Sequence, residues 1–441
     1  MKTPPQLKGS LITGHYNQFK KDPLSLLLSS SEELGEIFTL RAFNKPIYFL
    51  NSPELIEYVT QKNHKNYIKT PATPLRMILG DSIFTTDGDE WLKRRRLYQP
   101  ALNNAAIKSY VDSVLDCSSK MVEKIGVILN SQKEINVTRL MTNVTIDVLS
   151  KTLFGTTLVT GKQLHEDMAI IMQWIGERRL RHPFVVPANW PTKSNKKFLS
   201  AVKNMDQLIY DIIEEKKNKS NSSEDLLSRF MSFSEKDTPK LNSKELRDEV
   251  MTIFLAGHET SANVLNWTFY MLAMHPEIQS KVFDEISELK DKEFTYEALH
   301  DLQYTTQVLN ETMRLFPPVW HFGRVNVDDD NIGGYIIPAG SSVRISPYII
   351  QRNSRYWANP NTFDPNRFEN SKEILPFTHI PFGAGPRLCA GRNFAMMEMV
   401  FIVAKLIKKY ELKFDRKPVK TNPMITLRSK GDIYLTFTSR R

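Results

Sequence analysis

Cysteine is scarce: Cys117 and Cys389 are the only two among 441 residues, and neither lies in a C-x-x-C. That argues against a disulfide-stapled secreted scaffold and a thiolate-built structural zinc site. Long apolar runs are missing as well. The densest early cluster, residues 24–28, reads Leu-Ser-Leu-Leu-Leu, far short of the roughly 20 residues a membrane-spanning helix needs. No apolar stretch follows the opening Met1-Lys-Thr-Pro-Pro, so the sequence predicts no signal peptide, no membrane anchor and a cytoplasmic location. Acidic residues are in the minority, 49 against 59 Lys+Arg, giving a net charge of +10. That excess opens three partners, namely nucleic acid, a membrane surface or an acidic protein. A 41% hydrophobic and 24% charged composition excludes a disordered chain and leaves a globular one. Length alone favours two or three domains.

There is no internal repeat, and the one polar stretch, 216–224, reads as an exposed loop. Strand-like runs occupy 36–41 and 47–50, helical patterns run through roughly 100–310, and strand patterns return around 324–350. Val111, Val114, Met121 and Ile125 recur at helical spacing, and Cys117 falls among them as a packed free thiol. The segments 425–427 and 433–437 read as a terminal hairpin around Lys430-Gly431. Strand material from the start, late middle and end brackets a helical body. That favours one α+β domain, mainly α, over residues 1–441.

The segment 382–391, Phe-Gly-Ala-Gly-Pro-Arg-Leu-Cys-Ala-Gly, puts three glycines around one cysteine just before a helical pattern that starts near Arg392. A helix N-terminus favours a thiolate, and glycines permit close approach of a flat ligand. The dinucleotide fingerprint G-x-G-x-x-G fails, because Leu388 follows Gly385 by three. A cysteine nucleophile with a distant histidine base stays open at this point. A second segment, 250–262, lies in a helical run from about Asn242 to Met274, and Asn242 with Glu245 predicts a capping box. Ala256-Gly257 followed by Glu259-Thr260 reads as a widened turn with room for a small ligand. His258-Glu259 does not make a zincin, since residue 262 is Ala.

The pattern F-x-x-G-x-R-x-C-x-G resembles the haem loop of the cytochrome P450 family. The resemblance implies that Cys389 is the axial ligand of haem b and that Phe382 packs on its sulfur side, with Gly391 closing the loop. Residues 256–260 are similar to the family's oxygen groove. There Ala256 leaves room, Thr260 holds dioxygen, the co-substrate, and Glu259 relays protons. Glu311 and Arg314, an E-x-x-R, and Arg367 in a later proline-containing loop match the family's structural triad. Trp91, Arg95, Arg324 and Arg387 match positions that hold the haem carboxylates, while Arg94 and Arg96 are expected in solvent.

By the same resemblance the substrate pocket includes Arg76, Val319, Trp320, His321 and Met424, with Arg178 to Arg181 as further candidates. The implied enzyme is an oxidoreductase, a monooxygenase taking electrons from a separate acidic ferredoxin or flavodoxin and its NAD(P)H-dependent reductase. Lys93, Arg94, Arg96 and Arg392 are candidate docking contacts. A monomer without nucleic acid or membrane partner is expected. Aromatic and polar pocket residues together favour O-demethylation of a small methyl ether such as 6-O-methyl-D-galactose. The alternatives are hydroxylation of a fatty acid or other hydrophobic small molecule, a peroxide-driven variant, and a haem-binding sensor without turnover. The Glu259-Thr260 pair argues against the last two.

Overall fold

Apolar residues run nearly unbroken through 37–40 and 47–50, and a computed structural model shows these runs paired as an antiparallel hairpin, Ile37–Ala42 with Lys45–Leu50. The structure describes residues 2–70, 73–155, 162–181, 186–218, 225–232, 241–289 and 294–440. Residues 219–224 of the expected loop lie outside them. Two compact units emerge, interleaved in sequence.

The first unit comprises residues 1–71, 310–389 and 426–428. Its five-stranded sheet places Lys45–Leu50 beside Ser342–Ile345 in parallel, followed by Phe322–Asn326 and Tyr67–Lys69. Side chains alternate across the sheet. Ile37, Tyr48, Leu50, Val343 and Ile345 bury one face. Phe38, Leu40 and Phe49 bury the other, under the helix Pro23–Leu34. Both faces are thus covered, which suits the apolar composition of these short strands.

The second unit comprises residues 72–309, 390–425 and 429–441. Its axis is the helix Ser243–Met274, 32 residues and therefore about 48 Å long. Asn242 Oδ1 accepts from the N–H groups of Lys244 and Glu245, and Glu245 Oε2 accepts from Asn242 N–H. The expected capping box is present. Helices Val137–Phe154, Lys193–Asn218 and Arg392–Lys409 surround this rod, so it is buried on nearly every side. Gly257 is a packing position. A Cβ there would lie 3.1 Å from Leu149 Cδ2 of the helix Val137–Phe154.

The terminal hairpin does not form as expected. Tyr434–Ser439 pairs with Glu134–Asn136 and with Tyr410–Lys413, because its apolar residues Leu435 and Phe437 find partners in distant strands. Cys117 is buried, and burial pushes its thiol up to about 11. Among the described residues no helix is long and apolar enough to cross a membrane.

Candidate functional site

In the first unit the backbone of the cysteine loop closes on itself. Cys389 N–H donates to Phe382 O at 3.0 Å, Leu388 N–H to Gly385 O at 3.0 Å, and Gly383 N–H to Ile380 O at 3.0 Å. Gly383 and Gly385 have φ of 79° and 67°, angles that L side chains rarely adopt. Cys389 is in no disulfide and is exposed, whereas Cys117 is buried.

Behind the loop lies a fully buried polar anchor. Glu311 and Arg314, in the helix Gln303–Leu315, are both 0% exposed and joined by two bonds of 2.6 and 2.8 Å. Arg314 also donates to the carbonyls of Gln351, Pro360 and Thr362. Glu311 accepts from Asp364 N–H at 2.9 Å, and Arg367 stands 3.4 Å from it. Every face of the pair is therefore satisfied, the condition under which a buried ion pair is tolerated. Gln351 carries the anchor onward. Its amide donates to Met313 O and Arg314 O, and its Oε1 accepts from Ile380 N–H, two residues before Phe382. Sequence reasoning misses Gln351, because nothing around a lone glutamine in 347–353 marks it.

Arg324 is buried, donates to Gly323 O and stacks over Phe322. Arg387 closes the 3-10 turn Gly385–Arg387. Val319 is 39% exposed. The expectation that Trp320 lines a substrate pocket fails. Its ring is 2% exposed, inside the apolar cluster with Leu24, Leu27 and Phe49, and stacks on Phe19. His321 packs edge-on against Trp320, with ring centroids 4.2 Å apart.

In the second unit the long helix is unbroken through 256–260, so the widened turn is absent. Instead the Thr260 hydroxyl donates to Ala256 O at 2.7 Å. Ala256 is exposed, and Ile253, Gly257 and Thr260 are half-buried, on a helix otherwise buried from Leu246 to Ala273, while Glu259 is buried. His258 is a packing residue, its Nδ1 2.7 Å from Phe254 O. On the helix Gly88–Ala101, Trp91 and Arg95 share a half-buried face. Met424 packs against the helix Lys162–Arg181 at Gly176, where a larger residue would make its flexible side chain shift. A Cβ there would lie 2.6 Å from Met424 Cε. Arg178 stacks on Trp174, and the side chains of Arg179 and Arg181 lie outside the described residues. Gly391 caps the helix Arg392–Lys409 and accepts from Ala395 N–H at 2.8 Å.

Two further expectations need correction. Arg94 is 6% exposed, not in solvent. It donates to Glu249 Oε1 at 2.9 Å, and Glu249 also accepts from Tyr98 OH at 2.7 Å and from Ile83 N–H. Burial pushes the Glu249 carboxyl above its ordinary range, against the pull of Tyr98 and Arg94. A side chain so enclosed cannot be a docking contact, which leaves Lys93, Arg96 and Arg392. Arg76 pairs with Asp81 and lines an open cleft of about 420 Å³ with Asp206 and Lys244, so it faces solvent instead of an enclosed pocket. Glu249 and Glu398 are functional-site candidates missed in the sequence. A lone acid inside the apolar run 394–404 is the signal that could have found Glu398.

A family model for cytochrome P450 matches residues 4–436. The chain belongs to the cytochrome P450 family. It is therefore an oxidoreductase of the monooxygenase type, and the family implies haem iron and dioxygen. Among its relatives, cyclooctatin synthase of Streptomyces melanosporofaciens is 29% identical over 92% of this chain and 89% of its own. Cyclooctat-9-en-7-ol 5-monooxygenase of the same organism is 28% identical over 91% and 88%. A cytokinin hydroxylase of Arabidopsis thaliana is 28% identical over 87% and 77%. The residues present fit haem. An exposed thiol stands on a loop where a Cβ on Gly391 would meet nothing within 4 Å and one on Gly383 only Arg387 O at 4.0 Å, so a flat group can lie close to this backbone.

Proposed function

We propose that this P450 inserts one oxygen atom from dioxygen into a hydrophobic small molecule, with Cys389 as the ligand of haem b. The observation that carries this reading is the exposed Cys389 thiol on its self-closed loop, in a chain matched by the family almost throughout. Haem iron held by a thiolate supplies the electron density that favours O–O cleavage. Phe382 packs on the sulfur side, and Gly391 keeps the loop narrow. Trp91, Arg95, Arg324 and Arg387 hold the haem carboxylates through charge-assisted hydrogen bonds. Thr260 orients dioxygen beside Ala256, and Glu259 brings a proton to it. Glu311, Arg314 and Arg367 hold the cysteine loop and take no part in the chemistry.

A hydrophobic substrate is supported by the relatives, one of which is named for a cyclooctatenol and another for a cytokinin. Val319, His321 and Met424 remain pocket candidates. The methyl-sugar reading loses its ground: Trp320 is a core residue and Arg76 an exposed one, and no relative named here acts on a sugar. Electrons come from a separate ferredoxin or flavodoxin with its reductase, and the enzyme works as a single-domain monomer in the cytoplasm.

The test has two stages. The reduced carbon-monoxide spectrum should show the thiolate-type band, and Cys389→Ser should abolish it. The holoenzyme is then titrated with a diterpenoid alcohol, a long-chain fatty acid and 6-O-methyl-D-galactose, reading displacement of the iron-bound water from the Soret band. Displacement by the sugar alone would overturn the hydrophobic reading. Thr260→Ala should keep reductant consumption while product per reductant falls about tenfold or more, the scale of a lost positioned proton transfer. An unchanged ratio removes Thr260 from the mechanism.

A further inference from the structure

The cysteine loop has a second seat, apart from the Glu311–Arg314 anchor. The helix Pro53–Glu57 starts normally, with Ser52 Oγ accepting from Leu55 N–H. It then widens. Tyr58–Lys62 is a π-turn, closed by Asn63 N–H on Tyr58 O at 2.8 Å, five residues back. Such turns are rare and recur at functional sites. A Cβ on Gly385 would lie 1.9 Å from Thr60 O of this turn. No side chain fits there, so the backbone of the cysteine loop rests directly on the backbone of the π-turn. Ile380 and Ala384 share one apolar cluster with Ile56 and Val59 and complete the seat.

A carboxylate from a distant segment grips both ends of the widened turn. Asp330 opens the strand Asp330–Ile332. Its Oδ1 accepts from Tyr58 OH at 2.8 Å, and its Oδ2 accepts from Asn63 Nδ2 at 3.0 Å and from Tyr67 OH. Asn63 Nδ2 also reaches Tyr58 OH at 3.1 Å. Tyr58 is the first residue of the turn and Asn63 the one just past it, so the carboxylate spans the turn. Hydrogen bonds to an ionised acceptor are about twice as strong as neutral ones, which suits a device that must hold an uncommon backbone shape.

We propose that Asp330 is a positioning residue for Cys389, acting through the π-turn on which the loop is seated at Gly385. The inference rests on Cys389 being the haem ligand. Displacement at Gly385 is passed along the loop because Leu388 N–H is bonded to Gly385 O and Cys389 N–H to Phe382 O.

The test uses full-length holoprotein and the ferrous carbon-monoxide spectrum, with haem content and unfolding midpoint measured alongside. Asp330→Asn keeps the size and removes the charge. It should raise the share of the blue-shifted, thiol-type band several-fold at unchanged haem content, and Tyr58→Phe should shift it less in the same direction. A lowered midpoint with the wild-type band ratio would mean a merely structural role and overturn the proposal. If Asp330→Asn does not fold, Tyr58→Phe and Tyr67→Phe decide, and wild-type ratios in both overturn it. Cys389→Ser is the separate control. A thiolate-type band surviving that change sinks the ligand assignment itself, whatever Asp330→Asn does.

Discussion

Two buried glutamates, one in each unit, meet opposite surroundings. Glu311 is 0% exposed and takes hydrogen bonds from Arg314 and the Asp364 backbone, with Arg367 beside it. Glu398, on the helix Arg392–Lys409, is 1% exposed and meets only the Ser261 hydroxyl, with no donor to its Oε1 among the described residues. Burial pushes the Glu398 carboxyl up to about 8, against the weaker pull of Ser261. Equal burial therefore yields a fully hydrogen-bonded anchor in one place and a neutral acid in the other, and the supply of donors makes the difference. The first arrangement fixes a loop in one geometry. The second leaves a proton-holding group one helix away from Glu259-Thr260-Ser261.

The sharpest way to break this contrast is to remove one partner of the compensated pair. Glu311→Ala strands a buried guanidinium and should destabilise the protein by about 3–5 kcal/mol, with loss of haem incorporation. Chemical denaturation and haem content check it, and a loss under about 1 kcal/mol would mean that Arg314's three carbonyl partners suffice.

Glu398→Gln should do the opposite and stabilise. The folded carboxyl titrates near 8 and the unfolded one near its ordinary value of about 4.3. Below that value both states are protonated, so the wild type carries no penalty. Between the two values only the unfolded state ionises, so wild-type stability falls as pH rises. Above about 8 the penalty is constant. The variant should therefore gain on the wild type by about 1.4 kcal/mol per pH unit at most, roughly 4 kcal/mol by pH 7. Denaturation at a series of pH values reads this directly, and parallel pH profiles would show that Glu398 is not held neutral.

The smallest effect is expected at Gly257→Ala. Relieving a mid-helix glycine gains about 1 kcal/mol, but the new methyl crowds Leu149 at 3.1–3.2 Å. The net change in midpoint should stay within about 1 kcal/mol in either direction.

Sequence legibility follows the reach of each interaction. The capping box at Asn242, the strands at 37–50 and the cysteine loop are written in neighbouring residues, and the chain could be read there. Arg94 and Glu249 are 155 positions apart, Asp330 and Tyr58 272. No local pattern announces that they meet. Trp320 misleads for a related reason. Beside His321 it reads as a pocket aromatic, yet Phe19 and Leu24, some 300 positions earlier, claim its ring for the core. Tyr434–Ser439 likewise chooses strands at 134–136 and 410–413 over its sequence neighbour.

The pairing of Tyr48 with Val343 also sets a clock on biosynthesis. With 295 positions separating them, a ribosome adding about 5–20 residues per second needs roughly 15–60 s between the two. Throughout that interval the hairpin Ile37–Leu50 has emerged with one long edge unpaired. An apolar edge left open is a template for wrong pairing. The waiting time of that open edge is thus fixed by sheet order and not by the final stability of the enzyme.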